Sequence, residues 1–564
     1  MSHPIQTADL DWQHVDGIEV PVSKQFGDVY FSKDNGLLET RHVFLNGNDL
    51  STRLAKLNDF EYFCVGETGF GTGLNILALW QLWQQVRPDN HSHLHAISVE
   101  KFPLSKDDLI RALNAWPELK PLADQLIAQY PMPIAGCHRL SFPDERFSLD
   151  LWLGDAHDVF PVMEKTAVVN AWFLDGFAPS CNPDMWEENV LNNIVRLSDF
   201  GSTFASFSVA GVLKRGLKSH GISISRPRGF GHKREMLKAI WNAPEEPSES
   251  SKNLDSTGKK NELKTDTFKQ RQIAIIGAGI AGLSCAWAFA QRGHQVTIYD
   301  QSAPLSGGSG NPLALLNPKL CSIEQSADHL MTLAWQHAIN HYAKFKAFRP
   351  IQVSQLALKN ADELLRLAEQ YPKGIVATQA ADQQEIETDF PSLNLLEAGA
   401  VSPHQLRDEI LAHAQIDYQQ AKITSIQQHD KVKLFAEENL LGEFDHVIVC
   451  TARETAQFFE NFPILKPIRG QVSWVNNKNH PLSQDTAYSY GGYCMQLDDE
   501  HLILGASFYP NRDDAEILLE DHVHNYDLIH SVFPTYAQSL NDVHTWQGRA
   551  SVRAQSQDYF PLLG

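Results

Sequence analysis

Two glycine-rich loops constrain the fold of this chain more than any other feature. The first, Gly66-Glu-Thr-Gly-Phe-Gly-Thr-Gly73, follows the apolar residues 62–65 and precedes the helical stretch Leu-Asn-Ile-Leu-Ala-Leu-Trp. The second, Gly277-Ala-Gly-Ile-Ala-Gly282, follows Ala-Ile-Ile and precedes Leu-Ser-Cys-Ala-Trp-Ala. A strand, a tight turn and a helix in that order are typical of nucleotide-binding βαβ units. Since the two loops differ in spacing and in their acidic neighbours, the chain predicts two sites for two different cofactors.

The composition is that of a globular protein with several domains. At 564 residues the chain is too long for one core, and its 43% apolar and 20% charged residues are ordinary. We find no stretch of roughly eighteen apolar residues and no secretion signal, so we expect no membrane span and a cytoplasmic location. Most of the seven scattered cysteines lie in apolar contexts and are interpreted as small core residues in a reduced protein, and no metal site is predicted. The net charge of −21 argues against general coating of DNA or RNA but allows a local basic patch for one RNA.

The chain divides into two α/β regions joined by a polar segment. From residue 61 to about 241, apolar strands alternate with helical stretches, as in a parallel sheet. The predicted pieces are strands at 62–65, 95–99, 149–153, 171–174 and 203–207, a strand-like piece at 28–32, and helices around 327–347 and 361–371. Residues 243–270 hold almost no aliphatic side chains and are predicted to be a linker. The predicted domains are therefore 1–242 and 271–564.

Acidic residues follow successive strands of the first domain. Glu100 ends the second strand, where an acid can bind the ribose hydroxyls of an adenosine. Asp155 follows the third strand and can face an adenine amino group. Acids without a Gly-Lys-Ser/Thr motif favour S-adenosylmethionine, which carries a sulfonium and an amino group. The alternative for Glu100 and Asp155 is a helix cap or a surface turn. The loop residues predicted to hold this cofactor are Gly66, Glu67, Gly69, Gly71 and Gly73.

Asp175 ends the fourth strand, in Leu-Asp-Gly-Phe-Ala-Pro. Methyl transfer to nitrogen needs a neutral amine aimed at the methyl group, and a carboxylate can accept the amine proton and orient the amine. Asp175 is therefore the predicted catalytic residue, and Phe177 the predicted apolar wall for a planar substrate group. Alternatively, Asp175 only braces the turn that follows.

The second loop has the full context of a dinucleotide fingerprint. Gly277, Gly279 and Gly282 lie between a strand and a helix, and Asp300 ends the next strand at the ribose position. FAD is favoured over NAD because a second small-residue loop follows, with Gly308, Ser309 and Gly310. Arg469, in Pro-Ile-Arg-Gly-Gln-Val, is predicted to face substrate or flavin, with a plain surface charge as the alternative.

Four motifs together resemble one methyltransferase family, namely residues 66–75, 174–179, 182–186 and 229–236. Fused ahead of a glycine-oxidase-like FAD domain, they make the whole chain similar to a family of bacterial bifunctional tRNA-modifying enzymes. The resemblance implies a Rossmann-like class I methyltransferase domain, then an FAD-binding Rossmann domain with an interleaved α+β substrate domain. It also implies work on the wobble uridine, position 34, of certain tRNAs. The FAD domain would remove the carboxymethyl group of 5-carboxymethylaminomethyl-2-thiouridine as glyoxylate, and the methyltransferase would then methylate the aminomethyl product.

A basic cluster is expected to bind the tRNA anticodon loop. Extruding a base from such a loop costs little free energy. Two of its members are the predicted substrate-binding residues Lys233 and Arg234. A solvated basic face is the alternative. We expect no DNA substrate and a monomer. The full cluster comprises Lys214, Arg215, Lys218, Arg226, Arg228, Lys233 and Arg234.

Members of that family continue beyond the segment that matches residues 553–564, with a Gly-containing segment that closes over the flavin ring. We therefore expect poor FAD binding or slow turnover in the oxidase half and an intact methyltransferase half. Two other hypotheses stay open. One is a methyltransferase with a non-functional flavin domain, and the other is a small-molecule amine oxidase fused to a nucleotide-binding sensor without an RNA substrate.

Overall fold

The computed structural model describes residues 5–15, 17–32, 35–164, 169–243, 268–328, 330–372 and 374–564, without the side chains of 326–328. The chain separates into two compact units, Met1–Lys269 and Gln270–Gly564. Most of the predicted linker, residues 244–267, lies outside the described residues.

The strands of the first unit are β1 (Leu10–Val15), β2 (Ile18–Ser23), β3 (Tyr62–Glu67), β4 (His93–Glu100), β5 (Gly136–Phe142), β6 (Phe147–Leu153), β7 (Ala171–Phe173), β8 (Thr203–Ser206), β9 (Ser223–Ser225) and β10 (Leu237–Ile240). Its α-helices are α1 (Gly36–Thr40), α2 (Leu50–Leu54), α3 (Leu74–Val86), α4 (Lys106–Leu113), α5 (Lys120–Ala128), α6 (Ala156–Val162), α7 (Glu188–Arg196) and α8 (Gly211–Ser219). A π-helical turn spans Arg41–Asn46, and short 3-10 turns span Pro117–Leu119, Pro143–Glu145 and Asp184–Trp186.

An eight-stranded sheet in the order β5-β6-β4-β3-β7-β8-β10-β9 forms the centre of this unit. The strands β6, β4, β3, β7 and β8 are parallel, whereas β5 and β10 run antiparallel to their neighbours. The parallel strands are nearly continuous apolar runs because helices cover both faces of the sheet. Trp80, Trp83 and Trp172 are fully buried in the two layers beside the sheet. Since the carboxyl ends of parallel strands meet at one edge, the residues that follow them are brought together there.

The predicted strands of the first unit are all present, extended or shortened by a few residues. The prediction of a strand-like piece at 28–32 was wrong, because Val29 forms only an isolated bridge with Val22. The aromatic side chains there pack inward instead, and the ring of Phe31 lies 5.4 Å from that of Trp116.

The strands of the second unit are β11 (Gln272–Ile276), β12 (Gln295–Asp300), β13 (Ala314–Leu316), β14 (Phe348–Leu356), β15 (Val376–Gln379), β16 (Ser392–Val401), β17 (Ile416–Gln420), β18 (Ser425–Gln428), β19 (Val432–Ala436), β20 (Asn439–Phe444), β21 (His446–Val449), β22 (Lys466–Asn476), β23 (Thr486–Ser489), β24 (Tyr493–Gln496), β25 (His501–Gly505), β26 (Tyr509–Pro510) and β27 (Gln547–Gln555). Its α-helices are α9 (Ile280–Ala290), α10 (Leu330–Tyr342), α11 (Ala361–Ala368), α12 (Pro403–Leu411), α13 (Leu519–Val532) and α14 (Pro534–Ala537). Short 3-10 turns span Ile323–Asp328, Ala381–Gln383, Ala452–Gln457 and Val543–Thr545.

Two sheets give the second unit its predicted architecture. A four-stranded parallel sheet, β17-β12-β11-β21, carries the glycine loop between β11 and α9. A ten-stranded mixed sheet, built on β14, β16 and β22, is formed by segments that alternate along the chain with those of the first sheet. This is the predicted nucleotide-binding domain with an interleaved α+β domain, and α10 and α11 fall within the predicted helices.

Among the described residues, we find no helix that is both long and apolar enough to cross a membrane.

Candidate functional site

A cavity of about 490 Å³ lies at the carboxyl edge of the parallel strands of the first unit. Its lining brings together seven residues that the sequence predicts for cofactor or substrate, which are Gly69, Gly71, Glu100, Asp155, Asp175, Phe177 and Lys233. Glu100 is the last residue of β4, and Asp155 and Asp175 lie just after β6 and β7. The cavity is therefore anionic at several points.

Glu100 holds the glycine loop in place from the end of β4. Its two carboxylate oxygens accept hydrogen bonds from the backbone N–H groups of Gly71, at 2.7 Å, and Phe102, at 2.8 Å. Burial raises the pKa of Glu100, and these backbone donors act in the opposite direction. Each carboxylate oxygen can accept a second hydrogen bond. The residue can thus brace the loop and still receive a ribose hydroxyl.

Asp155 is a helix cap that also faces the cavity. Its carboxylate accepts from the backbone N–H of His157 at 2.9 Å and pairs with Lys101 Nζ at 2.6 Å. Burial tends to raise the pKa of Asp155, but the ion pair and the helix N–H outweigh it and lower the pKa. Capping and ligand binding are therefore compatible roles for this residue.

Asp175 lies at the end of β7 with its carboxylate partly buried. One oxygen accepts from Gly176 N at 2.8 Å, and the other accepts from Asn75 Nδ2 at 2.6 Å. Burial raises the pKa of Asp175 to about 6, while the two donors limit that rise. A carboxylate tuned in this way is charged at neutral pH and can still take a proton.

Aromatic rings form one wall of the cavity. The ring of Phe177 lies 4.8 Å from that of Phe26 and 5.1 Å from that of Tyr30, measured between centroids. Phe102 continues this wall at 5.8 Å from Phe26. The four residues line the cavity, and their faces suit a planar base or a cationic group.

Lys233 is the one member of the predicted basic cluster among the described residues that line the cavity. Its ammonium donates to Glu39 Oε1 at 2.7 Å and lies 4.3 Å from the centroid of the Phe207 ring. Arg234 is exposed beside it and is not part of the lining. Arg226 is exposed as well and pairs with Glu235 at 3.3 Å.

Three of the predicted loop residues lie behind the cavity instead of lining it. A side chain at Gly66 would collide with the ring of Trp172, 2.5 Å from the position of its Cβ. Glu67 is fully buried and accepts hydrogen bonds from Asn75 and Ser98. Gly73 precedes α3 with a φ of 71°. Gly66 and Gly73 therefore have a packing role, and Glu67 has a hydrogen-bonding role behind the cavity.

In the second unit, the glycines of the second loop allow a ligand to approach the backbone closely at the start of α9. Gly277 has a φ of 105°, and a side chain there would collide with the carbonyl of Cys450. A Cβ at Gly282 would collide with the carbonyl of Gly277. At Gly279 the nearest atom to an added Cβ is Ser309 Oγ, 3.4 Å away, so space remains at the helix N-terminus. Such a turn exposes backbone N–H groups to a pyrophosphate.

Asp300 and the second small-residue loop frame this N-terminus. The Asp300 carboxylate accepts from Ala278 N at 2.7 Å and from Ser302 N at 2.9 Å. Ser309 Oγ accepts from Ile280 N at 3.1 Å, and a side chain on Gly308 or Gly310 would press on β27 or on Leu305 and Arg549. These residues fit the adenosine and pyrophosphate part of FAD.

Arg469 is buried inside the second unit, so the alternative of a plain surface charge was wrong. Its guanidinium pairs with Asp514 at 2.8 Å and with the fully buried Asp521 at 2.7 Å, and also donates to the carbonyl of Glu516. The network ties β22 to α13 and its preceding loop. A substrate- or flavin-facing role for Arg469 stays a prediction.

Several residues of the first cavity were not predicted from the sequence. They are Phe26, Asp28, Tyr30, Glu39, Thr40, Asn75, Lys101 and Phe102. Asn75 carried a signal, because it is a polar residue in the apolar run that opens α3. The residues before 41 carried none, since they reach the cavity only through the fold of the N-terminal segment.

Comparison with known proteins identifies the class of each unit. The family profile described as S-adenosyl-L-methionine-dependent methyltransferase matches residues 117–242, and the one described as FAD dependent oxidoreductase matches residues 272–564. The chain is thus a methyltransferase that uses S-adenosyl-L-methionine, fused to an oxidoreductase that uses FAD. The fold class predicted from the sequence is confirmed.

Full-length relatives then specify the family. The chain is 67% identical over 565 residues to the tRNA 5-methylaminomethyl-2-thiouridine biosynthesis bifunctional protein MnmC of Acinetobacter baylyi, a match that covers 100% of this chain and 89% of the relative. It is 38% identical over 619 residues to the protein of that name from Psychrobacter cryohalolentis, with 100% and 88% covered. The chain belongs to the MnmC family of bifunctional proteins. This membership confirms the predicted resemblance and favours two activities over a methyltransferase alone.

Among solved structures, the glycine oxidase of Geobacillus kaustophilus is 17% identical with a TM-score of 0.42, covering 52% of this chain and 85% of that chain.

Proposed function

We propose that this chain modifies the wobble uridine of tRNA in two successive steps. The oxidoreductase unit removes the carboxymethyl group of 5-carboxymethylaminomethyl-2-thiouridine, and the methyltransferase unit methylates the primary amine that remains. The name of the relatives, which specifies 5-methylaminomethyl-2-thiouridine biosynthesis, supports this product. The observation that carries the proposal is the partly buried carboxylate of Asp175 in an anionic cavity with an aromatic wall.

In the methyltransferase unit, Asp175 prepares the nucleophile. The carboxylate accepts a hydrogen bond from the substrate amine, which orients the nitrogen lone pair, and takes up the proton that the amine loses. Phe177, which packs against Phe26 and Tyr30, would form an apolar wall beside the planar base. S-adenosyl-L-methionine supplies the methyl group, and the residues that would hold it are Glu100, Asp155 and the loop at Gly69 and Gly71.

In the oxidoreductase unit, we assign FAD binding to the residues around the start of α9. FAD would accept the hydride, with its two electrons, that is removed from the carboxymethyl carbon next to nitrogen, and water would hydrolyse the resulting substrate imine to the primary amine and glyoxylate. Asp300 and Ser309 would hold its ribose and pyrophosphate together with the glycines at 277, 279 and 282. This assignment favours a redox function over a structural passenger.

The basic loop beside the first cavity supports an RNA substrate over a free amino acid. Lys233 reaches the cavity lining, and Arg226, Arg228 and Arg234 are exposed on the same segment between β9 and β10. Cations placed around a pocket can neutralise the phosphates that flank an extruded base. We further propose that the chain acts in the cytoplasm as a monomer.

The test is mass spectrometry of wobble nucleosides after incubation of the full chain with under-modified tRNA. FAD and S-adenosyl-L-methionine are added separately and together. We expect the primary amine and glyoxylate with FAD alone, and the methylated amine with both. Asp175→Asn should stop the reaction at the primary amine, whereas Asp124→Asn, on the exposed face of α5, should not. Turnover of free glycine or sarcosine without any change in tRNA would refute the proposal.

A further inference from the structure

A buried side-chain network lies directly behind the Asp175 carboxylate. Asn75, near the start of α3, is 7% exposed, and Thr40, at the end of α1, is 4% exposed. Thr40 Oγ1 donates to Asn75 Oδ1 at 2.7 Å. The Asn75 amide then donates to Asp175 Oδ2 at 2.6 Å and to Glu67 Oε1 at 2.9 Å.

The two carboxyl groups of Asp175 and Glu67 decide which way the Asn75 amide points, and the Thr40 hydroxyl binds the amide oxygen on the other side. An amide has one accepting oxygen and two N–H donors, and Asn75 faces one hydroxyl and two carboxyl groups. With its oxygen bound to the Thr40 hydroxyl, both N–H groups are directed at the two acids. In the reversed orientation, the amide oxygen would face the carboxyl oxygens of Asp175 and Glu67, which is repulsive when either is ionised. The arrangement therefore has one favoured orientation.

The same network leaves Asp175 with a defined orientation toward the cavity. Its Oδ2 accepts from Asn75 Nδ2 and its Oδ1 from the N–H of Gly176 at 2.8 Å. Because each donor binds a different oxygen, rotation of the carboxylate is restricted while further acceptor positions stay open. A group that must accept a proton from a substrate amine gains from such fixed placement, because small misplacements of a catalytic group are costly in rate.

We propose that Asn75 is a positioning residue for methyl transfer, and that Thr40 holds the oxygen of its amide in place. Asn75 holds the Asp175 carboxylate so that it accepts the amine proton without rotating away. This role rests on the function proposed above for Asp175. Neither residue needs to contact the transferred methyl group.

The test uses the full chain, with tRNA that already carries the aminomethyl group. Thr40→Val removes the hydroxyl at nearly constant volume, and we expect kcat for methylation to fall roughly tenfold, as for loss of one buried hydrogen bond. Thr40→Ser keeps the hydroxyl and should restore most of that rate. Asn75→Ala should cost more, roughly a hundredfold, since it removes the donor itself. The KM for S-adenosyl-L-methionine should change less than about twofold, because the cofactor contacts assigned above are untouched.

The pH profile separates positioning from a loss of structure. The Asn75 donor favours the charged form of Asp175, so Thr40→Val and Asn75→Ala should move the acidic limb of kcat to higher pH. A variant that is only less stable would lose active enzyme without moving the limb. Thr52→Val is the matched control, since its exposed hydroxyl also donates to a neighbour, Asp49, at 2.9 Å.

Two results would overturn the inference, and only the second would also overturn the proposed function. If Asp175→Asn is inactive but Thr40→Val and Asn75→Ala keep the wild-type rate and pH profile, the positioning role is wrong and the proposed function stands. If Asp175→Asn itself methylates at the wild-type rate, both are wrong. Should Asn75→Ala fail to fold, the Thr40→Val and Thr40→Ser pair decides alone.

Discussion

Lys233 donates a hydrogen bond to Glu39 at 2.7 Å, and this contact ties the basic loop between β9 and β10 to the helix α1 at the cavity. The lysine side chain is 47% exposed and the glutamate only 14%. An ion pair of this exposure contributes little to stability. The contact keeps a cation at the cavity lining, and under the proposed function this cation would lie close to a phosphate next to the extruded base.

Replacement of Lys233 should therefore weaken tRNA binding more than catalysis. We expect Lys233→Ala to raise the KM for tRNA severalfold with little change in kcat, since one phosphate contact is lost. The slope of log KM against log salt concentration should decrease by about one. Steady-state methylation at several salt concentrations measures both quantities.

Lys120→Ala provides the control for Lys233→Ala, because Lys120 is exposed on α5 and pairs only with Asp124 at 2.8 Å among the described residues. It should leave the KM and the salt slope unchanged. An equal effect of the two variants would mean that general charge, and not this loop, governs tRNA binding.

Methyl transfer should lose activity in acid through Asp175. Burial raises the pKa of this carboxyl to about 6, so its accepting form is lost as the pH falls through that value. The substrate amine must also be deprotonated, and this alone makes log kcat rise with pH. Below about pH 6 the Asp175 carboxyl must lose its proton as well, so the slope of log kcat against pH should be larger there by one unit.

Single-turnover methylation of aminomethyl tRNA between about pH 5 and pH 8 measures this break. In Asp175→Asn the residual rate should show no break, because the titrating group is gone. Binding of S-adenosyl-L-methionine, followed over the same range, shows whether loss of cofactor accounts for the acid limb. A break of the same size in Asp175→Asn would contradict the assignment.

The site residues that could be predicted from the sequence are those that come at the end of a predicted strand or just after it. Glu100, Asp155 and Asp175 each come directly after an apolar run, and parallel strands bring such residues to a common edge. The glycine loops were found for the same reason. Asn75 was missed because a lone polar residue in an apolar helix does not reveal which groups it will meet.

The N-terminal part of the cavity could not be predicted from the sequence pattern. Phe26 and Tyr30 reach Phe177 because the segment after β2 folds back over the sheet edge. No periodic pattern in that segment predicts such a contact, and its aromatic run favoured a strand instead. Arg469 was similar, since its partners Asp514 and Asp521 lie on a distant loop and helix.

Replacement of the fully buried Glu67 should change how stability depends on pH. Burial raises the pKa of Glu67 well above its ordinary value of about 4.3. The folded chain therefore holds a proton that the unfolded chain releases, and its stability falls as the pH rises through the folded pKa. Glu67→Gln removes the titrating group and can keep the hydrogen bonds with Asn75 and Ser98. The Ser98 hydroxyl would then accept a hydrogen bond from the glutamine amide instead of donating one to the carboxyl group.

We expect the free energy of unfolding of Glu67→Gln, relative to the wild type, to increase between about pH 5 and pH 8. Urea unfolding followed by tryptophan fluorescence measures it. Glu188→Gln, on the exposed start of α7, should show no such trend. A difference that stays constant with pH would mean that Glu67 keeps the same charge in both states.

The open space at Gly279 predicts a variant that folds but does not hold FAD. An added Cβ would lie 3.4 Å from Ser309 Oγ, an ordinary contact, so Gly279→Ala should fold with nearly the stability of the wild type. The methyl group would occupy the space through which a pyrophosphate approaches the N-terminus of α9. We expect FAD affinity to fall at least roughly tenfold and glyoxylate formation to fall at limiting FAD, while methylation of aminomethyl tRNA continues. Flavin absorbance of the dialysed protein measures the fraction of the chain that holds FAD. Gly374→Ala is the control, because it lies at a turn where an added Cβ meets nothing within 4 Å. An FAD affinity in Gly279→Ala equal to that of the wild type, measured by titration of the flavin-free protein, would show that the dinucleotide does not bind at this turn.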